Sequence, residues 1–218
     1  MLTPTPSVQF LPTLIESATP TITPVLTATA GPSDSLTPTN DLTPDIFLNQ
    51  LVINEIHADP DPELGDADAD GTVHSDNDEF LELVNISEDA LDLGGWQVWD
   101  LIRMRFTFPA GTSLSGGCGL VLFGGDVEFT YLQGSQVFGA GTLALNNTGD
   151  TIYLFDDEEK LMLTVSYGPE GGEDQSLTLF PDLIGQPTYY LHRDIIEAEG
   201  RLFSPGTKVD GTAIGDCP

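Results

Sequence analysis

The sequence predicts an all-β sandwich, and three observations predict it. Between residues 47 and 215, short segments rich in β-branched and aromatic residues recur, separated by glycine, Asp-Pro or Ser-Glu-Asp groups. No window of 11 or more residues carries a convincing apolar period of 3.6, the mark of an amphipathic helix. The segment is also long enough to bury a self-sufficient core. Short strands joined by glycine-rich turns then point to two packed sheets.

The elements follow in order. "LVINEI" (51–56), "EFLELVNI" (79–86), "LDLGGWQVWD" (91–100) and "MRFTFP" (104–109) read as the first strands. "CGLVLFGG" (118–125) is a continuous apolar run between glycines, as expected of a strand buried on both faces. "TIYLF" (151–155) and "LMLTVSY" (161–167) flank the polar "DDEEK", which reads as a hairpin. "QSLTLF" and "TYYLHRDI" supply weaker candidates. The paired glycines of "LGGWQVWD" allow a tight corner before Trp96. Trp96 and Trp99 cannot share one side of a strand, so Trp96 is expected in the core and Trp99 nearer an edge. Phe106, Phe108, Leu120, Leu122, Ile152, Leu154 and Val165 complete the expected core.

Residues 1–46 differ in kind. Thr and Pro dominate, and proline removes backbone donors and fixes φ, so neither helix nor central strand can run through. This composition fits a disordered, extended Thr/Pro-rich linker or glycosylated stalk. It is similar to linkers that hold extracellular modules off a bacterial surface.

Charge narrows the partners. The chain carries 35 acidic residues against 6 basic ones, a formal net charge of -29, and its first Lys or Arg is Arg103. Such a surface repels phosphate backbones and anionic lipid heads, so cations are the expected partners and nucleic acid is not. No run of about 18 apolar residues predicts membrane insertion. The N-terminus lacks the basic start and apolar core of a secretory signal, which leaves an intracellular chain or a processed form open. Cys118 and Cys217 match no zinc spacing; they read either as two buried thiols or as one disulfide suited to an oxidising compartment.

The order of motifs resembles the lamin tail domain family. "LVINEI", "DEFLELVNISEDALDLGGWQVWD" and "FTFPAGTSLSGGCGLVLFGG" carry the resemblance, and "NNTGDTIYLFDDEEKLMLTVSYG" and "FSPGTKVDG" extend it across 51–211. The resemblance implies an immunoglobulin-like β-sandwich. Bacterial members look like accessory modules of secreted or surface proteins, so it implies an extracellular or cell-surface location and a partner such as another surface protein or a polysaccharide. It transfers no catalytic residue, and fold alone names no ligand.

Within that frame, residues 57–78 form an inserted acidic loop. From Glu55 to Glu82 there are eleven carboxylates and no Lys or Arg. Crowding of like charges raises carboxylate pKa values or forces a loop open unless a counterion intervenes. "DADADGT" places Asp66, Asp68 and Asp70 at positions 1, 3 and 5 and Gly71 at position 6, as in the first half of an EF-hand calcium loop. Thr72 would offer its carbonyl, and Asp76 or Asp78 would close the shell, since Asn77 stands where the bidentate Glu belongs. Hard oxygen ligands suit calcium. The alternative is a solvated acidic loop.

Enzyme signatures are weak. There is no Gly-x-Ser-x-Gly elbow, Ser135 lacks the second glycine, and no Gly-Lys-Ser/Thr phosphate loop occurs. Carboxylate pairs for glycoside hydrolysis carry no information in so acidic a chain. His57 and His74 border the loop and read as surface residues, and His192 reads as equally ordinary. The expected function is therefore a non-enzymatic binding or structural module stabilised by calcium. The rival reading is a metal-dependent hydrolase that joins the same carboxylates to His57 or His74.

Overall fold

The computed structural model describes residues 50–183 and 188–217, and the Thr/Pro-rich segment lies outside them. The described chain is all-β. Its strands are β1 (Leu51–His57), β2 (Phe80–Asn85), β3 (Leu91–Asp92), β4 (Gln97–Trp99), β5 (Met104–Thr107), β6 (Ser113–Leu114) and β7 (Gly119–Phe123). After these come β8 (Tyr131–Leu132), β9 (Ser135–Gly139), β10 (Asp150–Phe155), β11 (Leu161–Tyr167), β12 (Leu177–Leu179) and β13 (Tyr189–Leu191). Helical structure is limited to single 3-10 turns, of which two, His192–Asp194 and Ile196–Ala198, follow β13.

A seven-stranded sheet runs β13-β12-β1-β2-β7-β9-β8 and a four-stranded sheet runs β11-β10-β4-β5, with β3 and β6 paired beside them. The main core joins Leu51, Ile53, Leu81, Leu83, Leu120 and Leu122 of the larger sheet to Val98, Ile152 and Leu154 of the smaller and to Trp96 just before β4. This is the sandwich that the short strands and glycine-rich turns predict. Phe108 belongs to the core, and Phe106 and Val165 are partly buried against it.

The two sheets differ in how their outer faces are treated. In β10 burial alternates strictly, with Ile152 and Leu154 inward and Tyr153 and Phe155 half-exposed, so one face meets solvent. In β1, β2 and β7 every residue is buried. Their second face lies under the C-terminal segment, where Leu202, Ser204, Thr207, Val209 and Ile214 are all buried. Continuous apolar runs in β2 and β7 record that double cover.

Three expectations are corrected. "LDLGGWQVWD" is two strands and not one, β3 and β4 belonging to different sheets, and the corner between them is the one expected of the paired glycines, Gly95 taking φ +82°. Trp99 is not near an edge, since β4 lies between β5 and β10; it occupies the outer face of the smaller sheet while Trp96 is buried. His57 and His192 are not on the surface, both being fully buried, whereas His74 is exposed.

The cysteines resolve to one disulfide, Cys118–Cys217, with a sequence separation of 99. It ties the end of the cover to β7. In the chain-entropy account, closing a loop of that length stabilises the fold by about 4–5 kcal/mol.

Candidate metal centre

β1 ends at His57 and β2 begins at Phe80, so the acidic loop spans the top of an antiparallel pair. Its return is held against β7: Gly124 N–H donates to the Glu79 carbonyl at 2.7 Å and Gly125 N–H to the Asn77 carbonyl at 3.0 Å. A Cβ on Gly124 would stand 1.9 Å from the Asp76 carbonyl oxygen, which excludes any other residue there. The glycine pair ending "CGLVLFGG" is therefore a seat for this loop.

Inside the loop, carboxylates organise backbone amides. Asp78 is fully buried; Oδ1 accepts N–H groups from Ala67 at 2.7 Å and Asp68 at 3.1 Å, and Oδ2 accepts that of His74 at 2.7 Å. Asp68 Oδ1 accepts the Asp70 N–H at 3.0 Å, and Asp66 Oδ2 the Gly71 N–H at 3.0 Å. Gly71 takes φ +91°, the turn that its place in "DADADG" requires.

These folds bring together one oxygen each from Asp66, Asp68 and Asp78, all within 4.8 Å of one another. Asp66 Oδ1 is buried and accepts no hydrogen bond. Burial, with the charges of Asp78, Asp70 and Asp66 in support, raises the Asp68 pKa. Asp70 and Thr72 stand on the exposed limb, where Asp70 Oδ1 accepts the Thr72 N–H at 2.7 Å. Asp76 is exposed and accepts from Ser75 Oγ at 3.1 Å. Of the six residues the spacing suggests, the structure thus clusters three, and of the two closing candidates it selects Asp78. Three converging hard oxygens, in a cluster where Asp66 keeps a buried, unpartnered Oδ1, fit a divalent cation such as calcium.

Neither histidine joins the cluster. The His57 ring lies between Phe80 and Phe203, at centroid distances of 5.3 and 5.1 Å. Burial, aided by nearby His192, pushes its pKa down to about 3.

A second group of acids escapes sequence reasoning. Glu55 and Glu82 face each other across β1 and β2, and both are fully buried. Glu55 Oε1 accepts Ser176 Oγ at 2.5 Å and Ser204 N–H at 2.9 Å, while Oε2 accepts Ser204 Oγ at 2.7 Å. Glu82 accepts Asn54 Nδ2 at 2.9 Å and Gly206 N–H at 2.6 Å. His192 completes the layer, with Nε2 3.0 Å from Ser204 Oγ and Nδ1 3.0 Å from the Arg201 carbonyl. Burial pushes Glu55 up to about 7, and burial plus the Glu55 charge raises Glu82. The chemistry is that of buried carboxyls, their ionised forms disfavoured by burial, bonding a cover to a sheet. The available signal was a Glu at alternate positions of otherwise apolar strands, "NEI" and "FLEL".

Comparison with known families matches residues 48–169 to the lamin tail domain, more than half of the chain. No curated protein matches it. The matched span stops short of the 211 to which the motif resemblance reads. Yet β12, beyond that limit, pairs with β1, so the later segment is part of the same sheet.

Proposed function

The chain belongs to the lamin tail domain family, and on that premise we propose that residues 50–217 are a non-enzymatic binding or structural module, stabilised by calcium, of a secreted or cell-surface protein. The observation that carries the calcium reading is the buried, unpartnered Asp66 Oδ1 in a cluster with Asp68 and Asp78. An ionised oxygen removed from water without a partner is costly, and a bound cation offsets that cost. The calcium role is structural, because the carboxylates that would hold the ion also pin the loop backbone. Support for an extracellular place comes from the disulfide, which oxidising compartments favour. The hydrolase reading has less support: His57 is enclosed by aromatic rings and offers no exposed base beside the cluster.

The test is thermal unfolding of the full chain with calcium, with magnesium and with chelator, alongside Asp68→Asn. For a dissociation constant of ~10 μM, millimolar calcium stabilises the fold by about 2.7 kcal/mol. The expected result is a Tm that rises with calcium well beyond magnesium in the wild type and not in the variant. Superimposable melts under all conditions would remove the calcium site.

A further inference from the structure

The outer face of the smaller sheet carries a feature that the calcium reading leaves unused. Its strand registers define two cross-strand rows. One runs Met104, Trp99, Tyr153 and Thr164; the next runs Thr107, Gln97, Phe155 and Leu161. All eight are half-buried or exposed, while the alternating Val98, Ile152 and Leu154 enter the core. Met104 and Leu161 are 43% and 47% exposed, and with Trp99, Tyr153 and Phe155 they give the rows a largely apolar, solvent-open face.

At the centre lies a groove of about 270 Å³ lined by Gln97, Trp99, Phe155 and Glu159. The Trp99 and Phe155 rings meet at 72° with centroids 6.0 Å apart, so they form a corner with two walls. Tyr153 stacks beside Phe155 at 6.2 Å. The indole is held in place by donating Nε1–H to Gln97 Oε1 at 2.9 Å. Along one end runs the hairpin turn between β10 and β11, with Asp156, Asp157, Glu158 and Glu159 against the single base Lys160. The Asp157 side chain packs close to Gly95, which sets this acidic turn beside the start of β4.

We propose that this corner binds a cationic side chain, the guanidinium of Arg or the ammonium of Lys, carried by a protein partner. Aromatic ring faces attract cations through their quadrupole, and a carboxylate at the rim, Glu159, completes the recognition. The net charge of -29 steers basic partners towards the molecule and repels acidic ones. Gln97, held by Trp99, keeps the indole fixed before the ligand arrives, which lowers the ordering cost of binding. The proposal rests on the reading of the chain as a binding module; it does not depend on calcium, whose test reads a different region.

The experiment uses the 15N-labelled full chain, whose two tryptophans provide two indole N–H signals assigned with Trp99→Phe. The probes are a blocked Gly-Arg-Gly-Arg-Gly peptide, the same peptide with citrulline for arginine, and cellohexaose as a neutral sugar. The expected result is a saturable shift of the Trp99 signal with the arginine peptide, an unmoved Trp96 signal, and binding at least about tenfold weaker for citrulline. Glu159→Gln and Phe155→Leu should each weaken binding by about threefold to thirtyfold. The proposal is overturned if the arginine peptide leaves Trp99 unmoved or citrulline binds equally. It is also overturned if cellohexaose alone moves Trp99, or if folded Phe155→Leu binds undiminished, since the attraction would then be diffuse charge. The wild-type comparison of arginine with citrulline stands even if a variant fails to fold.

Discussion

Glu55 with Glu82, and Asp66 with Asp68 and Asp78, are two solutions to the crowding of carboxylates within one domain. Under the C-terminal cover, the oxygens of Glu55 meet Ser176 and Ser204 donors, and burial raises the pKa of the group. In the loop, backbone amides take up most of the oxygens, yet Asp66 Oδ1 is left over beside two more carboxylates. A fully enclosed acid can keep a proton. A cluster set in a loop, next to the exposed Asp70 and Thr72, can instead recruit a cation. Carboxylate count therefore says less than access and donor supply.

The largest effect should come from removing the enclosed acid. Glu55→Ala strands the Ser176 and Ser204 donors in a buried layer and is expected to cost about 3–5 kcal/mol, read from urea unfolding. The isosteric Glu55→Gln should cost less than about 1 kcal/mol, because burial already disfavours the ionised form and the amide keeps a hydrogen-bonding group in place. Equal losses for the two variants would show that Glu55 works as an anion, and the contrast with the loop would collapse.

Next in size is Asp78→Ala. It releases the Ala67, Asp68 and His74 amides, with an expected loss of about 2–3 kcal/mol and faster hydrogen exchange at those three positions. Asp66→Asn should act in the opposite sense in chelator: relieved of one like charge, the loop gains a few tenths of a kcal/mol while losing its calcium response. A loss of stability in chelator would mean that the Asp66 charge is already compensated by the fold.

The pH dependence tests the same contrast without a substitution. Burial pushes Glu79 up to about 8 and Glu55 to about 7, both above the unfolded value of 4.5. Their stabilisation is complete below that unfolded value and is lost as pH rises through the folded values. Burial pushes His57 and His192 down to about 3 and about 4, so their contribution is present above the unfolded 6.5 and is lost as pH falls towards the folded values. Between about pH 4.5 and 6.5 the two trends oppose each other. From about pH 6.5 to 8 only the carboxyls act, and stability in chelator should fall by on the order of 1–2 kcal/mol. Glu79→Gln should flatten that decline; an unchanged slope would place the titration elsewhere.

Much of the architecture was legible because burial imposes a period. The polar "DDEEK" between "TIYLF" and "LMLTVSY" announces a hairpin and the continuous apolar run in "GLVLF" a two-sided strand, and the structure has both. The loop was legible in its composition and in Gly71, whose positive φ the spacing requires. Which aspartates meet was not, because Asp78 reaches Asp66 and Asp68 only after Gly124 and Gly125 have seated the loop's return on β7.

By itself, the sequence determined that the chain is a β-sandwich, that its charge favours cations, and that its acids crowd before β2. Local pattern and composition are enough for such properties. Tertiary structure alone decided the depth of Glu55. The register of β1 against β2 shifts between Ile53 and Glu55, so Leu51, Ile53 and Ile56 face the core while Glu55 turns to the other side. There it meets Ser176 and Ser204, 121 and 149 residues away in sequence. A one-residue shift has no signature in "LVINEI", because an extra residue is recognised only against the strand it fails to match.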